Sequence, residues 1–96
     1  MNYLLIRHRV ADFSRWKTAY DAHSSAREQA GLTEKELLHD IKDPNHVMLL
    51  FEVADVQKAQ DFTESSDLRE AMSGAGVTDK PDIYFLRRWA VTSNEA

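Results

Sequence analysis

Apolar residues fall into two kinds of pattern along this chain, continuous β-prone runs and stretches where they recur every three or four positions, and the two kinds alternate. Tyr3 to Val10, Val47 to Val53 and Ile83 to Ala90 are rich in branched and aromatic side chains and read as strands. Val10-Ala11-Asp12-Phe13 follows the first run, and Val53-Ala54-Asp55-Val56 follows the second, so one strand-to-helix joint is written twice. An aspartate just before a helical pattern accepts hydrogen bonds from first-turn amides and complements the positive helix end. Asp12 and Asp55 are therefore expected as N-caps.

Beyond Asp12, Phe13, Trp16 and Tyr20 keep helical spacing and Gly31 can close the helix, which predicts a helix from about Phe13 to Ala30. Beyond Asp55, Val56, Ala59 and Phe62 repeat the theme. Ser65-Ser66-Asp67 then interrupts it before Leu68, Ala71 and Met72 resume, so the second helix is expected in two pieces. Asp67 or Ser66 would cap the second piece, and Gly74 or Gly76 would end it. Between the halves, Thr33 followed by Glu36 has the form of a capping box, and Leu37, Leu38 and Ile41 suit a helix face. If Leu37 to Lys42 is instead a strand, Asp43-Pro44-Asn45 becomes a tight turn and each half reads strand, helix, strand. The strand is the expectation.

The order is then βαββαβ, an α+β sandwich with two helices over one side of an antiparallel sheet. A sheet covered on one side should alternate apolar with polar residues, yet Tyr3-Leu4-Leu5-Ile6, Val47-Met48-Leu49-Leu50-Phe51 and Ile83-Tyr84-Phe85-Leu86 are continuously apolar. Both faces are expected to be buried. Two helices cover only one, so a second copy packed sheet to sheet is the simplest cover for the other.

Composition adds bounds. Ninety-six residues, 43% hydrophobic and 29% charged, suit one domain, read here as residues 1–91 with a frayed tail over 92–96. There is no cysteine, which removes disulfides, thiolate metal sites and thiol nucleophiles and fits a reducing cytoplasm. The apolar opening gives way to Arg7-His8-Arg9 too soon for a signal peptide or a spanning helix. Twelve basic against 16 acidic residues leave a net charge of −4, which disfavours nucleic acid and anionic membranes as partners.

Val10-Ala11-Asp12-Phe13-Ser14-Arg15-Trp16-Lys17, the Asp43-Pro44-Asn45 turn, Leu50-Phe51-Glu52 and Pro81-Asp82-Ile83-Tyr84-Phe85-Leu86 together resemble the antibiotic-biosynthesis-monooxygenase-like (ABM) domains of the dimeric α/β-barrel superfamily. The resemblance spans nearly the whole chain. It implies a ferredoxin-like protomer and a homodimer in which two sheets form a barrel. It also implies a choice of activities, because that superfamily holds cofactor-independent monooxygenases of electron-rich aromatics, haem-degrading enzymes, cyclases and isomerases. The matched motifs are joints, turns and core strands, so no catalytic constellation transfers residue by residue.

Candidate chemistry has to come from the residues. At ~100° per residue, Phe13, Trp16, Tyr20, His23, Arg27 and Gly31 share one helical stripe, greasy at its start and polar at its end, as in a helix lining an apolar cavity with a few polar groups. Trp16 and Tyr20 would stack on a planar ligand, His23 would move a proton, and Arg27 would bind a carboxylate or enolate. The plainer alternative makes the aromatics core and sends His23 and Arg27 outward. Strand alternation sets His8 on the face of Leu4 and Ile6, as a general base in a pocket or as a satisfied core or interface histidine, with Tyr84 or Tyr3 as a neighbour.

Other signals are weak. His39 and His46 flank the hairpin without facing each other and no third ligand is near, so no metal is expected, and no cofactor is called for. Gly74-Ala75-Gly76 follows a helix and lacks the lysine of a phosphate loop. Ser24-Ser25 and Ser65-Ser66 have no nucleophile-elbow context. Arg87-Arg88-Trp89 is expected to anchor the sheet edge or the dimer seam. Two functions fit: a small enzyme that oxygenates or cyclises an aromatic or polyketide-like compound, with His8 and His23 as catalytic candidates and Trp16, Tyr20, Arg27 and Tyr84 as ligand contacts, or a non-catalytic dimeric module that binds a small ligand or serves as an interaction unit.

Overall fold

A computed structural model describes residues 1–89; the expected tail, and Ala90 at the end of the last predicted strand, lie outside them. The elements are β1 (Asn2–Arg9), α1 (Phe13–Ala22), α2 (Ser24–Gln29), β2 (Leu32–His39), β3 (His46–Val53), α3 (Val56–Thr63), α4 (Ser66–Gly74) and β4 (Asp82–Arg87). The four strands form one antiparallel sheet in the order β2-β3-β1-β4, the ferredoxin-like arrangement that the resemblance implies.

Both joints form as the sequence predicts. The Asp12 carboxylate accepts from the Arg15 amide and the Asp55 carboxylate from the Lys58 amide, each at 3.1 Å. The halves also latch each other. The Ala11 amide donates to the Gly76 carbonyl at 2.8 Å, and the Ala54 amide donates to the Gly31 carbonyl at 2.9 Å. Each joint is thereby tied to the glycine that ends the helical arm of the other half. Both glycines have positive φ, 77° and 87°, which a side chain would strain.

Two expectations change in the helices. The first is not one helix to Ala30: it breaks at His23, between α1 and α2. Asp21, His23 and Ser24 are weak helix formers, and the Tyr20 carbonyl is taken by the Arg27 guanidinium at 2.7 Å. The second breaks where expected, but Ser65 is the cap, its hydroxyl accepting from the Leu68 amide at 3.1 Å. Ser65 is the residue with extended backbone (φ −73°, ψ 147°), so its side chain is the one that folds over the first turn.

The segment between the halves is a strand, but it runs from Leu32 to His39 rather than from Leu37 to Lys42. Pairing with β3 overrides the capping-box pattern at Thr33, and the Asp40 carboxylate, bonded to the Lys42 and Asp43 amides, turns the chain before Lys42 can extend it. Ile41 is left on the turn, fully exposed. A bulge at Lys35 shifts the register, so that Glu34 opposes Phe51 and Glu36 opposes Leu50. The extra residue sets Glu34 and Leu37 on the same, helix-covered face.

That covered face carries the core: Leu4, Ile6, Val47, Leu49, Phe51 and Val53 from the central strands, packed by Trp16, Tyr20, Ala30 and Ala59. The opposite face carries Tyr3, Leu5, Leu38, Leu50, Tyr84 and Leu86, of which Leu38, Tyr84 and Leu86 are about half exposed. Arg7 reaches Asp82 at 2.7 Å and Asp79 at 3.2 Å, which fastens β4 to the end of β1. Arg88 donates to the Tyr3 hydroxyl at 2.8 Å, while Trp89 stands exposed.

Candidate functional site

The space between helices and sheet is not filled. A cavity of about 70 Å³ has Ile6, Leu49 and Phe51 as its floor, Trp16 and Tyr20 as one wall, and Phe62, Leu68 and Met72 as the other. It opens beside His23 into a shallower vestibule of about 480 Å³, and the two spaces share His23, Phe62, Leu68 and Ala71. Asp67 and Glu70 stand on the outer rim.

Because β1 alternates, Leu4, Ile6 and His8 all point under the helices, and His8 is 2% exposed on the cavity wall. Its Nδ1 is buried and has no hydrogen-bond partner. Burial holds the imidazole below its ordinary pKa, so the ring is neutral near pH 7. The edge of His8 meets Trp16, with ring centroids 5.6 Å apart.

Three rings run from this point along α1. Phe13 lies 5.7 Å from Trp16 and 5.2 Å from His39, and Trp16 stacks on Tyr20 at 4.9 Å and 25°. The Tyr20 hydroxyl donates to Glu34 Oε1 at 2.7 Å. Burial first, and then that bond, push the phenol well above its ordinary pKa, so Tyr20 stays protonated. The Arg27 guanidinium carbon lies 3.5 Å from the centroid of the Tyr20 ring, the stack that locks this cation at the cavity mouth.

The structure thus brings five of the six predicted residues, His8, Trp16, Tyr20, His23 and Arg27, around one space. Tyr84 does not join them. It pairs with Leu5, the neighbour that alternation sends to the other face, and it is half exposed there; Tyr3, opposite Leu86, is on that face too. Glu34 escaped the sequence reading because the strand was expected to begin at Leu37, whereas β2 begins at Leu32 and plain alternation sets Glu34 on the face of Leu32. Phe62, Leu68 and Met72 were visible as an apolar helix pattern but read only as packing. His39 pairs with Val47 and His46 with Arg9, and His46 Nε2 sits 3.2 Å from the Arg7 guanidinium. Among the described residues, no three His, Asp or Glu side chains are grouped to hold a metal ion. No described helix is long and apolar enough to cross a membrane.

Solved structures share this architecture. An antibiotic biosynthesis monooxygenase matches with a TM-score of 0.69 at 14% identity, over 93% of this chain and 99% of its own. SnoaB, a cofactor-independent oxygenase from Streptomyces nogalater, matches with 0.67 at 11% identity, over 93% and 95%. An uncharacterised NIPSNAP domain protein from Burkholderia xenovorans matches with 0.66 at 9% identity, over 96% and 98%. No protein-family model and no curated protein sequence matches the chain. At these identities the likeness defines the fold: this chain has the ferredoxin-like architecture of the antibiotic biosynthesis monooxygenase structures, as the motifs anticipated.

Proposed function

We propose that this domain is a homodimer that takes a small planar molecule between α1 and the α3–α4 wall, and that it oxygenates or cyclises that molecule with its own side chains. The observation that supports this reading best is the His8 imidazole, 2% exposed and set in the wall of the cavity. A polar side chain on an otherwise apolar wall is costly unless something meets it, and a polar group of a ligand in the cavity would do so. A neutral imidazole inside a largely apolar cavity suits a general base, and His23 at the mouth suits proton exchange with solvent. The similarity of fold to SnoaB favours oxygenation without a cofactor. The half-exposed Leu38, Tyr84 and Leu86 favour a second copy as the cover of the open face, and a chain without cysteine suits a reducing cytoplasm.

Oxygen uptake with a simple quinol tests the reading. Turnover should fall by about 10²-fold or more in His8→Ala and His23→Ala while size-exclusion chromatography still shows a dimer. Unchanged turnover in both would remove the two histidines from the mechanism. A second reading, a non-catalytic dimeric module, is favoured by the cavity's size: about 70 Å³ is roughly half the ~150 Å³ of an apolar cavity that takes up benzene. Absence of any product over many enzyme equivalents, whether or not a ligand binds, would decide for it.

A further inference from the structure

Arg27 is the cation at this site with no carboxylate of its own. The ion pairs among the described residues belong to Arg7, Arg9, Lys17 and Lys35. Arg27 is half-buried, stacked on Tyr20, and bonded through Nη1 to the Tyr20 carbonyl, which leaves most of its five N–H donors uncommitted. A guanidinium locked in position has already lost its side-chain freedom, so a ligand that engages it orders little more. On this side the Glu34 carboxylate accepts from the Tyr20 hydroxyl, and Asp67 and Glu70 are exposed on the far rim, where salt screens them within ~8 Å. The other end of the cavity differs: it is closed by the uncharged, buried imidazole of His8 among apolar walls.

Charge at the mouth, grease along the walls and one uncharged imidazole at the inner end describe a ligand. We propose that the pocket selects small planar carboxylic acids, with the carboxylate on Arg27, the ring against Trp16 and Phe62, and a hydroxyl or other hydrogen-bonding group toward His8. This rests on the pocket being a ligand site and adds which class of molecule it takes, with Arg27 as the specificity-determining residue.

Isothermal titration of the full chain with 4-hydroxybenzoate and with 4-hydroxybenzamide, equal in shape but not in charge, tests it. The acid should bind at least about tenfold more tightly than the amide, the range expected for a charge-assisted hydrogen bond. Arg27→Gln should bring that ratio close to one, and Arg27→Lys should keep part of it. The ratio is insensitive to the fraction of protein that is folded; should Arg27→Gln not fold, raising the salt on the unmodified chain should weaken the acid and leave the amide unchanged. Equal binding of acid and amide would overturn this inference and leave the pocket standing. A ratio retained in Arg27→Gln would overturn the assignment to Arg27, and binding of neither compound would overturn the pocket as well.

Discussion

The two helical arms hang from the same Val-Ala-Asp joint yet seat on the sheet very differently. The first sends Trp16 and Tyr20, 3% and 9% exposed, down onto Leu4, Leu49 and Phe51. The second buries only Ala59 from α3, and α4 buries nothing fully. The cavity between them therefore has one wall continuous with the core and one that leans over it. An identical start does not determine how an arm is held; the size of the side chains one and two turns later does. A molecule larger than the cavity of about 70 Å³ would displace α4 before the face that holds His8 and Tyr20, because α4 is the less buried wall.

The sharpest way to break the comparison is to truncate each wall. Trp16→Ala should cost about 3–5 kcal/mol, the range for a large aromatic removed from a packed site, while Leu68→Ala in α4 should cost about 1 kcal/mol because that side chain is only partly withdrawn from water. Urea unfolding measures both, and equal losses would mean that the arms are equally seated.

A smaller effect comes from His8, which belongs to the firm wall through Trp16. Burial lowers its pKa in the folded chain below 6.5, so the unfolded chain binds the proton more readily. Stability should be complete above about pH 6.5 and fall as the pH drops through the folded-state value, by at most about 1.4 kcal/mol per pH unit from this residue. His8→Leu should flatten that part of the profile relative to the unmodified chain; parallel profiles would place the imidazole in contact with solvent.

The smallest effect concerns what the arms share. Asp12→Ala and Asp55→Ala should each cost about 1 kcal/mol, since the two carboxylates make the same bond at the same distance. Unequal costs would show that the joints, and not only the arms, differ.

These joints were also what the sequence displayed most clearly. Capping, helix spacing and strand alternation are local, so the βαββαβ order, the break at Ser65 and the burial of His8 with Leu4 and Ile6 could be read from neighbours alone. The misplacements came from pairing between distant segments. Whether Tyr84 shares a face with His8 depends on the register of β4 against β1, and whether Glu34 reaches Tyr20 depends on where β2 begins against β3. A one-residue slip moves every side chain to the other face, and nothing near Tyr84 or Glu34 in the chain records it. The stripe from Trp16 to Arg27 was legible as a line of side chains; the break at His23 that turns its end into a cavity mouth was not.

The reciprocal bonds from Ala11 to Gly76 and from Ala54 to Gly31 have a consequence for what counts as a unit here. Each half supplies the stop against which the other half begins its helix, in the manner of two chains that have exchanged a part. A single strand-helix-strand half would keep its cap but lose the carbonyl that anchors its joint and the joint that anchors its glycine. Repetition in this chain is therefore not modularity: the smallest piece that can hold itself together is the interlocked pair.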